Sequence, residues 1–446
     1  MSPLIDPRIL KGFRDFLPAA EIERRNLIER VEDVFRAFGF APIDTPALEY
    51  TEVLFGKAGG ETEKQVYRFT DNGGRDVALR FDLTVPLARF AAEHRAALRF
   101  PFKRYHIAKV WRGENTQRGR YREFTQCDFD CIGCDSAAAD FEILLIMKEA
   151  LTAADAPPFT MRLNHRGLFN RFLQTIDAAG KSTEILRIVD KLSKMGKDDV
   201  LRLLSAILDD KRARQVIDYI EPKGSWNETF EAITTAAGGD NPDSERLKTL
   251  RDFMIETETQ DVFVLDPSIT RGLDYYTGVV FETMLDDMPS IGSVCSGGRY
   301  DKLTGLYSKE ALSGVGASVG LDRLIAALEA AGKTAKRETY ADAAVICFDE
   351  AQAGAYQKIA NRFREAGICC EVFFEAKKDS VQFARAEKKG IRWAIIEIAN
   401  DTLILRDLAT REDSEVLSIS EAILLIKNSH KLNQNGHSAL FVYRPR

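Results

Sequence analysis

Arginine, aspartate and tyrosine side chains are concentrated in one short segment, RGLDYYTG, at residues 271–278. A basic hairpin far upstream contains Arg112, Arg118 and Arg120. Downstream, Arg323 follows a glycine-bearing strand at the start of a predicted helix. Guanidinium groups are planar and permanently charged, and they bind carboxylates and phosphates in two-point contacts. Their combination indicates a site that handles a polyphosphate and a carboxylate together.

The polar side chains of the basic hairpin follow an alternating pattern. Residues 102–112 and 120–132 are predicted to be two strands around the loop 113–119. An antiparallel sheet that only covers a core would not carry so many charged groups on one face. Either this face is exposed to solvent, or it forms the base of a ligand site, which Arg112 favours. The even positions of the second strand are Arg120, Arg122, Phe124, Gln126, Asp128 and Asp130.

Three of the seven cysteines have the spacing C-x3-C-x2-C, at Cys127, Cys131 and Cys134. This spacing occurs in iron–sulfur sites, whose ligands come from a loop that can wrap around the metal. Cys127 and Cys131 instead alternate with polar residues, on the same side of the strand as Phe129. We therefore expect small buried side chains in a core, with no disulfide framework.

Length and composition limit the classes of protein to consider. A chain of 446 residues is expected to form two or three domains. The net charge of −6 argues against nonspecific coating of nucleic acid but allows a local basic surface. No apolar run approaches the ~20 residues that span a bilayer, and the N-terminus lacks signal-peptide organisation. We expect an intracellular, cytoplasmic protein.

Periodicity divides the chain into two folded regions. It predicts a helix over 21–38, a strand over 77–82 and a following helix with Thr84 as its N-cap. Strands and helices alternate beyond the polar linker, which indicates an α/β domain with a mainly parallel sheet. The predicted organisation is a catalytic domain at 1–332 with a helical insertion at about 170–258, a linker at 333–341, an α/β domain at 342–431 and a tail of unknown role at 432–446.

Six segments, in the family's order, resemble the signatures of histidyl-tRNA synthetases, which are class II aminoacyl-tRNA synthetases. Together they extend over nearly all of the catalytic region, and the α/β domain resembles the anticodon-binding domain of such enzymes. The segments are KGFRDFLP at 11–18, FAPIDTPALEYTEVL (motif 1, with Pro46), VWRGENTQRGRYREFTQCDFDCIG (motif 2), RGLDYYTGVVFE and SGGRYDKL (histidine-specific), and GVGASVGLDRL (motif 3).

The resemblance implies an α+β fold, in which helices flank an antiparallel six-stranded catalytic sheet. It implies ATP-dependent ligation of L-histidine to its tRNA through histidyl-adenylate, with Mg²⁺ accompanying ATP. It also implies a homodimer formed through motif 1, and contacts to the acceptor end and anticodon of the tRNA. Gly113 departs from the larger polar residue of many bacterial members. Because the motif 2 loop approaches the acceptor end of the tRNA in this family, the departure bears on how the loop reads the first and discriminator bases.

The resemblance also implies a role for each matched residue. The implied catalytic residues are Arg271, Arg112 and Gln126. In the α/β domain, Phe373, Phe374 and Arg392 are candidates for anticodon contact, with core packing or a solvated charge as the alternatives. The ATP-binding residues are Arg112, Glu114, Arg120, Tyr121 and Arg323, and the histidine-binding residues are Asp82, Leu83, Thr84, Arg112, Gln126, Asp130, Arg271, Tyr275 and Tyr276.

Two other functions are compatible with such a fold. One is a catalytically silent paralogue, such as the regulatory subunit of ATP phosphoribosyltransferase in histidine biosynthesis. The other is a nucleic-acid-binding accessory factor without adenylate chemistry. The chain keeps Arg112, Arg271 and Arg323 and has a full C-terminal domain, and both features favour the enzyme.

Overall fold

The computed structural model describes residues 4–55, 65–269, 275–333, 337–399 and 401–434. The chain forms two compact units. The larger, called here the catalytic unit, comprises Met1–Arg14 and Asn26–Lys333. The smaller, called here the C-terminal unit, comprises Asp15–Arg25 and Thr334–Arg446.

Helices and strands are distributed over the whole described chain. The helices are α1 (Pro18–Ala37), α2 (Thr51–Phe55), α3 (Thr84–Glu93), α4 (Ala137–Ala153), α5 (Arg166–Thr175), α6 (Ser182–Val189), α7 (Leu192–Met195), α8 (Lys197–Ile207), α9 (Asp210–Ile220), α10 (Trp226–Ala236), α11 (Pro242–Glu256), α12 (Leu321–Ala330), α13 (Ala353–Glu365), α14 (Asp379–Lys389) and α15 (Ile419–Gln434). The strands are β1 (Ala41–Pro42), β2 (Leu48–Tyr50), β3 (Arg68–Thr70), β4 (Asp76–Leu79), β5 (Phe102–Trp111), β6 (Glu123–Ile132), β7 (Phe159–His165), β8 (Phe263–Leu265), β9 (Val279–Leu285), β10 (Cys295–Arg299), β11 (Gly314–Gly320), β12 (Ala343–Val345), β13 (Cys370–Val372), β14 (Trp393–Ala399), β15 (Thr402–Asp407), β16 (Glu412–Asp413) and β17 (Leu417–Ser418).

A large sheet forms the centre of the catalytic unit. Its strand order, among the described residues, is β1-β5-β6-β11-β10-β9-β7-β8. The strands from β5 to β7 in that order are antiparallel to their neighbours, while β1 and β8 pair in parallel at the two edges. The predicted antiparallel six-stranded sheet is confirmed, and two short edge strands extend it.

The two faces of β6 have different chemistry. Cys127, Phe129 and Cys131 are buried in the main hydrophobic core, so the cysteines serve as small apolar side chains. Within the described residues, no group of three His, Cys, Asp or Glu side chains could hold a metal ion. The opposite face carries Gln126 and Asp130 and is also withdrawn from solvent, so the alternative of a solvent-exposed polar face is wrong.

The region before α3 differs from its prediction. The strand predicted over 77–82 ends at Leu79 and belongs to a separate sheet of order β2-β4-β3. Thr84 is the first helical residue rather than the N-cap, and the cap position, Leu83, makes no side-chain hydrogen bond. Asp82 Oδ1 instead accepts a hydrogen bond from the Val85 N–H at 3.1 Å. A carboxylate accepts from free N–H groups at a helix start more strongly than a hydroxyl does.

The predicted insertion is a helical module that runs from α5 to α11 in the catalytic unit. Side-chain caps begin several of its helices, including a capping box in which Asn241 accepts from Ser244 N–H and Ser244 Oγ accepts from Asn241 N–H. Arg246 on α11 joins the module to α4, because its Nε donates to Asp140 at 2.6 Å. The module is thereby tied to the layer of helices over the main sheet.

The C-terminal unit is a separate α/β fold with a core of its own. Its sheet has the order β13-β12-β14-β15-β16, and β17 also pairs with β15. The first three strands are parallel, whereas β15, β16 and β17 run antiparallel to their neighbours. The sheet is therefore mixed, because β14 and β15 form a hairpin. None of the helices in the described part of the chain is long and apolar enough to cross a bilayer.

Candidate active site

A cavity of about 310 Å³ opens on the polar face of the main sheet. Residues from the hairpin β5–β6, from β10 and β11, and from the start of α12 surround it. Asp190, at the end of α6, contributes a carboxylate from the helical module. All five residues predicted to bind ATP line this cavity, together with Gln126: they are Arg112, Glu114, Arg120, Tyr121 and Arg323.

Arg112 is fixed by its backbone and side-chain contacts. Its N–H donates to Arg122 O at 2.9 Å, and its Nε donates to Phe81 O at 2.8 Å. The guanidinium lies over the ring of Phe124, 5.2 Å from the ring centre. In the described part of the chain its Nη atoms have no hydrogen-bond partner, so they can donate to a bound anion.

Arg120 and Arg323 approach the cavity from two different elements. Arg120 forms an ion pair with Glu114, and Arg323 Nη1 donates to Ser293 O at 2.6 Å. Gly119, with φ of +70°, lies against the start of α12, where a Cβ would be 3.2 Å from Arg323 Cα. A glycine here lets the motif 2 loop turn close to the helix. The cavity thus has fixed positive charge on two sides.

The residues predicted to bind histidine are gathered mainly near the start of α3. Tyr275 OH donates to Asp82 Oδ2 at 3.4 Å, and the rings of Tyr275 and Tyr276 pack edge to face at 4.9 Å. Leu83 and Thr84 are buried beside Asp82. Gln126 Nε2 donates to Ser318 Oγ at 2.9 Å, while its buried Oε1 has no hydrogen-bond partner in the described region.

Asp130 has two partners that the sequence analysis did not identify. Tyr300 OH donates to Asp130 Oδ1 at 2.5 Å, and Arg104 Nη2 lies 2.7 Å from Asp130 Oδ2. Arg104 pairs with Asp130 in the register of β5 with β6. Arg104 and His106 are polar residues two positions apart on β5, so their side chains point to the same face of the sheet as those of the residues opposite them on β6. This alternation could have indicated the contact.

Burial changes the protonation of this polar face. Removal from solvent raises the pKa of Asp82 to about 6. It also raises the pKa of Asp128 to about 7, although Arg104 acts in the opposite direction. Burial likewise raises the pKa of Tyr275, so its hydroxyl keeps its proton and can donate a hydrogen bond. Shifted carboxyl groups of this kind are concentrated at functional sites.

Arg271, the family-specific arginine of the sequence analysis, lies outside the described residues. The other predicted members fall into two groups. The ATP set lines the cavity; Arg112 belongs to both the ATP and the histidine set, and Gln126, from the histidine set, also lines it. Asp82 lies near Arg112, which opposes the rise of the Asp82 pKa.

Most of this chain matches a known protein family. Residues 12–324 match the family model described as Histidyl-tRNA synthetase. The chain belongs to the histidyl-tRNA synthetase family. A curated relative from Treponema denticola, named histidine–tRNA ligase, is 51% identical over 448 residues, which cover 96% of this chain and 100% of the relative. One of the same name from Rhodopirellula baltica is 47% identical over 423 residues, with 93% and 96% covered.

Solved structures of the histidyl-tRNA synthetase family share the fold. A histidyl-tRNA synthetase from Nostoc sp. PCC 7120 superposes with a TM-score of 0.85 at 30% identity, with 96% of this chain and 100% of that chain covered. A protein from Bacillus halodurans described as an ATP phosphoribosyltransferase regulatory subunit/histidyl-tRNA synthetase has a TM-score of 0.73 at 21% identity, with 86% and 97% covered. The latter similarity shows the fold alone.

The C-terminal unit also matches a domain of these synthetases. Residues 342–429 match the model described as Anticodon binding domain. Among the candidates for anticodon contact, Phe373 is 3% exposed and packs in the core, so the alternative of core packing holds for it. Phe374 is 75% exposed. Arg392 Nη2 donates to Asp407 at 2.8 Å, which ties its guanidinium to the protein.

Proposed function

We propose that this protein ligates L-histidine to its tRNA by way of histidyl-adenylate. The single observation that carries this proposal is the cavity that Arg112, Arg323 and Gln126 share. Arginines from two remote segments meet there around one space, next to the buried pair of Asp82 and Tyr275. This arrangement suits a nucleotide bound beside a small amino acid.

In the first step, the histidine carboxylate attacks the α-phosphorus of ATP. The bond from that phosphorus to the oxygen that bridges to the β-phosphate breaks, and pyrophosphate leaves. An anion attacks a polyanion here, so fixed cations and alignment are the expected means of catalysis. We assign the α-phosphate and the substrate carboxylate to Arg112, and the γ-phosphate end to Arg323. The position of Arg271 in the family motif supports a contact to the α-phosphate.

The hydrogen-bonding groups around Asp82 and Asp130 suit the binding of histidine. In the ionised state, Asp82 can accept from the α-amino group, and it already accepts from Tyr275 and from the start of α3. The imidazole presents one N–H donor and one nitrogen acceptor. Asp130, Gln126 and the tyrosines can satisfy both, and an analogue that leaves such buried groups unpaired is rejected.

In the second step, the 3′-terminal ribose hydroxyl of the tRNA attacks the carbonyl carbon of the adenylate, and AMP leaves. We propose that the C-terminal unit contacts the unpaired anticodon bases, which RNA-binding domains recognise by stacking and at base edges. The exposed ring of Phe374 supports this assignment. We further propose a catalytic domain at 1–332, a linker at 333–341 and an anticodon-binding domain at 342–431.

We propose that Mg²⁺ enters with ATP. The oxygen donors that line the cavity, Glu114 and Asp190 among them, fit a Mg²⁺ ion that keeps most of its water. Glu114 already pairs with Arg120, so a contact from the cavity carboxylates to the ion would be mediated by water. Bound Mg²⁺ would neutralise part of the phosphate charge.

We also propose a cytoplasmic homodimer. Exposed apolar side chains of the small sheet support a contact through motif 1. Tyr50 and Phe69 lie opposite the same residue, Val77, in neighbouring strands, and both are about half exposed. Sedimentation of the purified protein tests this state, and a monomer at micromolar concentration would contradict it.

The decisive experiment for the enzyme is histidine-dependent exchange of pyrophosphate into ATP. We expect exchange by the folded protein with Mg²⁺, and loss of it by orders of magnitude in Arg271→Ala with folding intact. The absence of exchange in the wild type would exclude adenylate chemistry and favour a silent paralogue. Near-normal exchange in Arg271→Ala would show only that this arginine has another role.

A further inference from the structure

Three carboxyl side chains, Asp82, Asp128 and Asp130, are almost fully buried near the guanidinium of Arg104, and Arg112 also acts on Asp82. Each carboxyl is at most 2% exposed, and Arg104 is 0% exposed. A buried carboxylate without a cation takes up a proton, because its charge is poorly solvated there. A guanidinium, in contrast, keeps its charge even when buried. The position of Arg104 therefore decides which carboxyl stays ionised.

Arg104 makes its close ion pair with Asp130. The distance from Nη2 to Asp130 Oδ2 is 2.7 Å, and the same nitrogen donates to Leu83 O at 3.3 Å. Tyr300 OH donates to the other Asp130 oxygen at 2.5 Å. Tyr300 thus holds one oxygen of Asp130 by a hydrogen bond, and Arg104 lies at ion-pair distance from the other, and each oxygen keeps a lone pair for a ligand.

We infer that Arg104 is a positioning residue for histidine selection, which holds Asp130 as a charged acceptor that only a ring N–H can satisfy. This inference rests on the proposed function, in which Asp130 contacts the imidazole. A charged carboxylate accepts and does not donate. Asp130 therefore favours an imidazole N–H and rejects ring analogues that present a lone pair or a methyl group at that position.

Other titratable groups surround Asp130 and must be considered in any pH measurement. Asp128 lies two residues away on β6, and His106 lies opposite Asp128 on β5. The hydroxyl groups of Tyr276 and Tyr300 also lie near these carboxyls. Burial raises the pKa of Asp130, while the Arg104 guanidinium and the Tyr300 hydrogen bond oppose that rise. Loss of Arg104 therefore favours the neutral acid.

A double-mutant cycle tests the inference. Arg104→Met and Asp130→Asn are made singly and together in the full chain, and the KM values for histidine and ATP are measured by pyrophosphate exchange. Each single change should raise the KM for histidine about tenfold or more, with the KM for ATP nearly unchanged. The double variant should be no worse than either single one, because Asp130 is already neutral without Arg104. Additive effects, or an unchanged KM for histidine, would overturn the inference.

Arg104→Lys covers the case in which Arg104→Met does not fold. Lysine keeps the charge but lacks the planar guanidinium, whose Nη2 lies close to both Asp130 and Leu83 O, so Asp130 takes up a proton more easily. The ratio of the KM for histidine to that of the wild type should therefore be largest at acid pH and should decrease as the pH rises. A ratio near one, or one that does not depend on pH, would overturn the inference.

Arg80→Met is the matched control, because Arg80 is also a buried arginine but donates to the backbone oxygens of Lys109 and Thr45. It should lower stability without a change specific to histidine, and a matching rise in its KM for histidine would count against a special role of Arg104. A wild-type protein without exchange would instead defeat the proposed function itself.

Discussion

Gly316 lies directly opposite Asp130 on the neighbouring strand, and the Asp130 carboxyl fills the space where a side chain of residue 316 would begin. A Cβ at this position would overlap with Asp130 Oδ1. We predict that Gly316→Ala displaces the carboxyl, raises the KM for histidine and destabilises the protein by about 1–3 kcal/mol, as overpacking of a core does. Pyrophosphate exchange and urea unfolding measure the two effects.

Gly180→Ala provides the control for this change. A Cβ on Gly180 would meet no atom within 4 Å, so the KM should not shift and the unfolding midpoint should not fall. A Gly316→Ala protein with a normal KM for histidine would show that the carboxyl of Asp130 has room to move without loss of binding.

Asp140 is a buried carboxyl that joins the sheet to the helical module. Arg299 Nε donates to its Oδ1 at 2.9 Å, and Arg246 Nε donates to its Oδ2 at 2.6 Å. Asp140→Ala removes the buried anion between two guanidinium groups and leaves them only the more exposed carboxylates of Asp135 and Asp301, so we expect a loss of about 3–5 kcal/mol in the free energy of unfolding. Urea unfolding followed by circular dichroism measures it.

A surface ion pair shows what the same truncation does in solvent. Asp33 accepts from Arg36 at 3.1 Å on exposed parts of α1, and Asp33→Ala should change stability little. If Asp140→Ala lowered the free energy of unfolding as little as Asp33→Ala does, water would have to reach Arg299. The burial of this cluster would then be wrong.

Asp82 should make stability depend on pH. Burial raises its pKa in the folded protein to about 6. As the pH rises, the native state therefore keeps its proton after the unfolded chain, whose carboxyl has its ordinary pKa, has released its own. Stability relative to Asp82→Asn should therefore decrease as the pH rises from about 4 to about 6, by up to roughly 3 kcal/mol. Asparagine keeps the cap of α3, because its side-chain oxygen also accepts from a helix N–H.

Thermal unfolding of both proteins across this pH range tests the prediction. The difference between them should be nearly constant above about pH 7, where the carboxyl is ionised in both states. A difference that grows in favour of the wild type between about pH 4 and pH 6 would mean that Arg112 lowers the pKa of Asp82 more than burial raises it.

Local patterns predicted much of the fold and of the site. The alternation on β6 separated Cys127 and Phe129 from Gln126 and Asp130, because neighbouring side chains of a strand point to opposite faces. The contact from Arg104 to Asp130 was not predicted, since it depends on the register between strands and on burial of both faces. Tyr300 reaches Asp130 across 170 positions of sequence, and no local pattern contains that information.

Short elements and strand ends were the other source of error. The edge strands β1 and β8 have two and three residues, too few for their pairing with the main sheet to be predicted from periodicity. At the end of β13, Phe373 packs into the core while Phe374 is exposed, although both looked alike in sequence. The two side chains point in opposite directions because neighbouring residues of a strand alternate between its faces, and the sequence did not show which of the two faces the core.

Arg112 should not tolerate replacement by lysine. Its Nε is bound to Phe81 O, and the planar group lies over Phe124, so the fork is oriented toward the cavity before any ligand binds. Lysine provides neither the planar stack nor two-point contact. We predict that Arg112→Lys reduces pyrophosphate exchange by about 100-fold or more. Arg202→Ala, a change on the exposed face of α8, should leave exchange intact, and equal behaviour of the two variants would refute the role of Arg112.

Phe374 offers a way to separate tRNA contact from adenylate chemistry. An unpaired base that stacks on an aromatic ring gains about 1–3 kcal/mol, so Phe374→Ala should raise the KM for tRNA in aminoacylation roughly five- to a hundredfold. Pyrophosphate exchange needs no tRNA and should not change.

Val416→Ala is the control within the C-terminal unit, since Val416 is 65% exposed but has no ring for a base to stack on. If both variants raise the KM for tRNA equally, Phe374 acts as general apolar surface. If neither does, the anticodon contacts lie elsewhere on the C-terminal unit, because an exposed ring that stacked on a base could not be removed without loss of binding.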